Sequence, residues 1–407
     1  MRRIKYLDDM SKLESEFAGL FDSSYDDLQK EWEAVRPSIL ANSTLQDKDS
    51  VYPEKMRDLF TRRYEDLVRL YLDFISFSYK LSDTQKSSLK SAFRYSNTQG
   101  KRDGLQPLIA EFFMQHANEL DIHVCHYCEL AYVNAYGLSS YYKSFARMLK
   151  SGDDKIIRKY VRTEEGKPYS RGNVYTNILS LKDHDEKDIE ESFDQIDEWK
   201  RLKPSKSIRI MRDQRNHFDL DHFLPKSKCP LVALSLYNLV PSCAVCNEKL
   251  KSKDEIGGLD ANLWLKFSPT SQTYNFDELK IRLNPFEWNT SKRSSDREED
   301  FRVEFLPSES DYQKVVEEFK LEDRYNYHKA EAIQLLDKIH DYPKEKIMMI
   351  ANLFGGTRTS TDIINDIFGL KHDKTQHRIM EKFHRDIIEQ AGRDDILETI
   401  KDKVYGK

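Results

Sequence analysis

Apolar residues at helical spacing dominate residues 1–120, which read as helical. Leu67, Leu70, Leu72, Phe74, Ile75 and Phe77 form an apolar stripe within a charged segment running from Pro53 to Leu81. Ser82-Asp83 carries a cap signal that predicts a second helix from Gln85 to Tyr95, and Leu108, Ile109, Phe112 and Phe113 mark a third. Between Ile122 and Tyr136 the pattern shortens to β-branched and aromatic stretches interrupted by two cysteines. Residues 150–198 are acidic and polar, broken by Gly, Ser and Asn at Tyr169 to Asn173, and read as an inserted helical segment with loops. Phe218 and Leu220 alternate with Asp219 and Asp221, which predicts a short strand ending at a loop with Pro225. Leu239-Val240 predicts a second strand, Pro241-Ser242 a turn, and the following residues a helix carrying Asn247, Lys249, Lys251 and Lys253. After Gly257-Gly258 come mixed segments to Trp288 and a polar stretch, Asn289 to Asp300, that reads as a surface loop. Helices return at Tyr312, and one beginning at Phe319 is predicted to continue through Ile333, Leu336 and Ile339.

A length of 407 residues suits two or three domains. The pattern divides them into a helical N-terminal domain (1–120), a central module (121–258) with a helical insertion at about 140–200, and a mainly helical C-terminal domain (259–407). With 22 Tyr and 21 Phe the chain is not a disordered one. Five cysteines are too few, and of the wrong parity, for a secreted disulfide scaffold. No apolar run approaches a membrane span and no apolar leader opens the chain, so a soluble, cytoplasmic protein without membrane contact is expected. A net charge of -5 excludes a global polycation that would bind nucleic acid by bulk electrostatics.

Four of the cysteines form two Cys-x-x-Cys pairs, Cys125-His-Tyr-Cys128 and Cys243-Ala-Val-Cys246. Two intervening residues let both thiolates of one turn face a single tetrahedral ion, and two such turns complete a four-thiolate structural zinc site. The long gap between them means that the metal would staple distant segments. A thioredoxin-like redox pair needs only one such motif, so the second pair argues for zinc. His123 and His126 adjoin the first pair as possible substitute ligands, and Cys229 reads as a small apolar side chain.

Between the cysteine pairs stand Asp221-His-Phe-Leu-Pro-Lys-Ser227 and Asn238-Leu-Val-Pro-Ser-Cys-Ala-Val-Cys-Asn247. Over residues 120–255 this order of Asp-His, middle Asn and final Asn between zinc knuckles resembles the HNH endonuclease family, whose module is a ββα-metal unit. Upstream Cys-x-Tyr-Cys and downstream Arg282-Leu-Asn-Pro-Phe286 are similar to a group of stand-alone bacterial HNH proteins. The fold implied is mainly α with a small embedded ββα-metal (α+β) module stapled by the four-cysteine zinc site.

The resemblance implies a phosphodiester hydrolase acting on DNA, with His222 as general base and Asp221 and Asn247 as ligands of one Mg²⁺ or Mn²⁺ ion. Imidazole titrates near neutral pH, and a carboxylate with an amide oxygen suits a hard cation. Asn238 would brace the loop that orients His222, while Asp219 is either a support to the metal site or a solvated strand carboxylate. Stand-alone proteins of this look serve in anti-phage defence, some beside an ATPase subunit, so such a subunit is the implied partner. No phosphate-cradling motif occurs in this chain; Phe354-Gly-Gly-Thr-Arg358 reads as a short glycine turn.

Positive charge concentrates next to this cluster, at Lys200, Arg201, Lys203, Lys206, Arg209, Arg212 and Arg215, with Lys226, Lys228, Lys249, Lys251 and Lys253 around it. Such a stripe suits phosphate positioning, and no base-reading motif accompanies it. Two other readings remain at this point: a zinc ribbon that only binds nucleic acid or protein, and a nuclease directed at RNA.

Overall fold

A computed structural model describes residues 3–4, 6, 9–97, 104–142, 144–151, 178–195, 208–251, 256–284, 298–368 and 379–398. The chain is mainly helical, with three two-stranded sheets among the described residues. The sheets pair β1 (Ala135–Tyr142) with β2 (Ile208–Asn216), β3 (Asp219–His222) with β4 (Leu239–Ser242), and β5 (Leu279–Asn284) with β6 (Arg302–Pro307).

Residues 135–215 form one compact unit and residues 1–134 with 216–407 the other. Within the larger unit the core is shared. One apolar cluster takes Phe17 and Trp32 from the N-terminal region, Phe223 and Leu239 from the centre and Phe305 and Phe383 from the C-terminal region. The smaller unit holds β1, β2 and the helices Phe145–Ser151 and Glu186–Gln195. Most of the expected insertion, the loop at Tyr169 to Asn173 and most of Asn289–Asp300 lie outside the described residues.

The stripe at Leu67–Phe77 becomes the helix Tyr64–Phe77, which buries Leu67, Leu70, Phe74 and Phe77. The Pro53–Leu81 segment is nevertheless broken, because a short helix at Arg57–Phe60 precedes that helix. Ser82 begins the next helix, Asp83–Ala92, through a capping box: its hydroxyl accepts from the Gln85 amide and the Gln85 side chain accepts from the Ser82 amide. The third predicted helix spans Gln106–Gln115.

Helix Ala261–Phe267 packs against Tyr64–Phe77 through Trp264, whose ring meets Tyr71 edge-on at 5.5 Å. Gly257 makes this possible, since a Cβ there would stand 2.4 Å from the indole. Phe223 inserts beside the same tryptophan (5.8 Å) and Tyr64 (6.2 Å). The residue after His222 is therefore anchored in the principal core, which fixes the end of β3.

β6 was not evident from the sequence, although Val303 and Phe305 alternate inward against exposed Arg302. Helix side chains satisfy both edges of the β5–β6 pair. Asp386 accepts from the Ile281 amide and Gln390 exchanges two hydrogen bonds with Leu283, while Asn326 does the same with Val303 on the other edge. Tyr312–Glu318 is a separate helix, and the one expected to run from Phe319 to Ile339 is two pieces, Leu321–Asn326 and Lys329–Asp341. Lys320, between Tyr312–Glu318 and Leu321–Asn326, adopts the left-handed conformation, φ 48°, which interrupts an α-helix. Gly355 and Gly356 form the expected turn, both with positive φ. No described helix is long and apolar enough to cross a membrane.

Candidate functional site

The two Cys-x-x-Cys turns meet. Cys125, Cys128, Cys243 and Cys246 bring their sulfurs within 4.8 Å of one another, and the Cys128 and Cys243 sulfurs are 3.9 Å apart. A tetrahedral zinc site with Zn–S near 2.3 Å has sulfur–sulfur edges of about 3.8 Å. A disulfide needs about 2.05 Å, and all five cysteines are free. The four thiols are therefore compatible with a structural metal such as zinc, and neither His123 nor His126 belongs to the cluster.

The first turn is a small hairpin. Val124 bridges Tyr132, Cys125 N–H donates to Ala131, and the Leu130 amide donates to Cys128 Sγ. Glu129 closes it at φ 54°, a left-handed conformation that costs a residue with a side chain roughly 1–2 kcal/mol. Two contacts from the C-terminal region hold Glu129 there: its carbonyl accepts from Met380 N–H and its carboxylate from Lys382 N–H. In the second turn the Cys243 amide donates to Cys125 Sγ. The helix expected to follow is a π-helical turn, Val245–Leu250, wider than an α-helix.

Arg324 spans both turns. Its two terminal nitrogens donate to Cys246 Sγ and Cys128 Sγ, each at 3.3 Å, and the neighbouring Tyr325 hydroxyl donates to the Cys128 carbonyl at 2.7 Å. A bound divalent ion would leave four thiolates with excess negative charge, which this guanidinium offsets. Nothing near Arg324 in the sequence announces that role.

β3 and β4 pair antiparallel, with Asp219 opposite Ser242, Asp221 opposite Val240 and His222 opposite Leu239. With the π-helical turn they form a strand–strand–helix unit whose last element begins at the cysteine cluster. His222 and Asp221 are both buried. His222 Nε2 lies 2.9 Å from the Ala233 carbonyl, which can only accept, so Nε2 carries the proton and Nδ1 offers its lone pair. Lys226 Nζ donates to that Nδ1 at 3.2 Å. The imidazole meets Tyr95 edge-on, with centroids 4.4 Å apart. Burial, with the neighbouring cations Lys226 and Lys251, holds His222 well below the usual imidazole range, and the Ala233 carbonyl only partly opposes this. The ring is neutral at pH 7.

Asp221 accepts from Tyr127 at 2.5 Å and from Lys251 at 2.6 and 2.9 Å. Tyr127 lies inside the first cysteine pair, so the first cysteine turn also positions a donor to Asp221. Burial, reinforced by Asp221, raises the Tyr127 pKa and keeps it a donor. Asn238 is fully buried and braces the loop after His222: it accepts from Leu224 N–H and donates to the Leu224 and Val232 carbonyls. Asp219 Oδ2, Ser242 Oγ and the Tyr95 hydroxyl are buried without a hydrogen-bond partner among the described residues. They are next to the Asp221–His222 pair through the strand register and the Tyr95–His222 contact.

Asn247 is half-buried on the π-helical turn, its amide N–H bonded to the Cys243 carbonyl. Of the expected phosphate-binding cations, Lys249 is exposed, whereas Lys251 turns its ammonium to Asp221. Arg209, Arg212 and Arg215 lie on β2. Lys203, Lys206 and Lys253 lie outside the described residues. His217 is exposed, and Cys229 is buried away from the cluster of four. Comparison with protein-family models, curated proteins and solved structures gives no match to this chain.

Proposed function

We propose that the chain is a metal-dependent endonuclease of the HNH type that hydrolyses DNA phosphodiester bonds, with zinc in the four-cysteine site. The observation that carries this reading is the state of His222. It is a neutral imidazole fixed through Nε2 by the Ala233 carbonyl, with the Nδ1 lone pair facing the Lys226 ammonium. A protein that only binds nucleic acid has no need of a buried base held in one tautomer.

The oxygen set at Asp221 fits a hard cation, because its carboxylate and the His222 carbonyl already converge on one positive charge, the Lys251 ammonium. Asp221 is the ligand proposed for Mg²⁺ or Mn²⁺, with Asn247 as the second. The ion, when bound, would stabilise charge on the phosphate and the leaving oxygen. His222 Nδ1 would take the proton of the attacking water. Asn238 keeps the His222 loop in register, and Ala233 holds the proton on Nε2, so the base is oriented before substrate arrives. Lys249 is proposed to hold phosphate. A role in anti-phage defence beside an ATPase subunit, in the cytoplasm, rests on the sequence resemblance.

Incubation of the purified chain with plasmid DNA and with a single-stranded RNA, each with Mg²⁺, Mn²⁺ or chelator, tests the reading. Metal-dependent nicking or cutting of the plasmid supports it. Cleavage of RNA alone would move the substrate class to RNA, and cleavage of neither would refute the nuclease assignment.

A further inference from the structure

We propose that Lys251 is a built-in cation that occupies the Asp221 metal position and competes with the divalent ion for it. The inference rests on the nuclease reading and adds a control element to the same site.

Lys251 Nζ touches three oxygens: Asp221 Oδ1 at 2.9 Å, Asp221 Oδ2 at 2.6 Å and the His222 carbonyl at 2.9 Å. A bidentate carboxylate with a backbone carbonyl is an all-oxygen set of the kind hard cations take. The ammonium is well shielded, with the Lys251 side chain 16% and that of Asp221 7% exposed. The ammonium lies 5.5 Å from the Phe223 ring centroid, and the Lys251 backbone N–H bonds the Cys246 carbonyl at 2.9 Å. The cysteine turn therefore fixes where the lysine starts, and the chain places its charge on Asp221 without any ligand.

A divalent ion and an ammonium repel each other and cannot share these oxygens. Metal entry then requires Lys251 to leave, and the apparent metal affinity is lowered by the fraction of molecules in which it has left. Nearby Lys226, on His222 Nδ1, adds to the positive field that the ion must enter. A lysine on an anion already present explains why this site would load metal weakly although its oxygens suit one.

Mn²⁺ titration followed by electron paramagnetic resonance, without nucleic acid, tests the proposal on zinc-loaded wild type, Lys251→Met and the double variant Asp221→Asn/Lys251→Met. Circular dichroism and zinc content confirm the fold beforehand. Lys251→Gln, which retains a hydrogen bond to Asp221, predicts the same direction and serves if Met disturbs the fold. The expected result is Mn²⁺ binding at least about tenfold tighter in Lys251→Met than in wild type, and its loss in the double variant. Equal or weaker binding without the lysine charge overturns the proposal. If wild type cleaves DNA but removal of Lys251 leaves Mn²⁺ affinity unchanged, the competition fails and the nuclease reading stands. If the affinity gain appears and no nucleic acid is cleaved, the nuclease reading fails alone.

Discussion

Asn238 holds Leu224 by both of its backbone groups, accepting from the amide at 2.7 Å and donating to the carbonyl at 3.0 Å. A further bond to the Val232 carbonyl closes the loop that carries Ala233, the residue fixing His222. Asn238→Ala leaves these buried groups unpaired, at about 1–3 kcal/mol for each buried polar group left unsatisfied. Urea denaturation is expected to show a loss of roughly 3–5 kcal/mol. A change below about 1 kcal/mol would show that the loop does not depend on this amide.

His222 makes stability depend on pH. Its folded pKa lies below the ordinary value near 6.5, so below that value the unfolded chain takes up a proton that the folded chain refuses. Its contribution is present above about pH 6.5 and is lost as pH falls toward the depressed folded pKa. Lys226 and Lys251 facing the ring strengthen this effect, and Asp221 holds Lys251 in place. Denaturation of wild type and His222→Gln at pH 7.5 and 5.5 should therefore show the larger acid-side loss in wild type. Equal losses would show that His222 is not held neutral.

Arg324 should govern how firmly the metal is kept. About one zinc per chain is expected by metal analysis, and Cys128→Ser should lose it. Arg324→Ala removes the cation bonded to Cys128 and Cys246 and should speed zinc transfer to a chromogenic chelator by about 10–100-fold. Arg324→Lys cannot reproduce a fork across two sulfurs and should recover only part of the difference. An unchanged release rate in Arg324→Ala would make the contact incidental. Complete zinc removal should also abolish any nuclease activity with Mg²⁺ in excess, because the thiol cluster joins both halves of the site.

Lys382 and Asp386 form an ion pair at 2.8 Å with side chains only 3% and 1% exposed. Asp386 also accepts from the Ile281 amide and so ties helix Glu381–Gln390 to β5. Asp386→Ala leaves a buried ammonium and a buried amide unpaired and should cost about 3–5 kcal/mol. The double change Lys382→Met/Asp386→Leu should recover much of that loss in the same denaturation assay. No recovery would mean that the Ile281 bond, rather than the charge pair, is the dominant part.

The sequence shows the parts whose chemistry is local. The capping box needs Ser82 and Gln85 only, and the cysteine pairs declare themselves by spacing. The alternation around Asp219–Asp221 and Leu239–Val240 correctly marked two strands, which pair in antiparallel register. Arg324 and Tyr95 were illegible because each acts on a group far away in the chain, and a single charged or aromatic residue carries no sign of its distant partner. β6 was missed because its alternation is short and flanked by polar residues, and its edges are satisfied by side chains of helices rather than by further strands. Short apolar stripes do not reveal that Phe17, Phe223 and Phe305 share one core. Lys251 appeared as one lysine among several in a basic run, and only its position beside Asp221 separates it from Lys249.

The most direct measurement is supercoiled-plasmid nicking by wild type and His222→Ala, both zinc-loaded and equally folded, in Mn²⁺ and in chelator. Wild type should nick in Mn²⁺ and stop in chelator, and His222→Ala should fall by about 10²–10⁴-fold in rate. Nicking by His222→Ala at the wild-type rate, or no nicking by wild type under any metal, would contradict the assignment of His222 as the base of a nuclease.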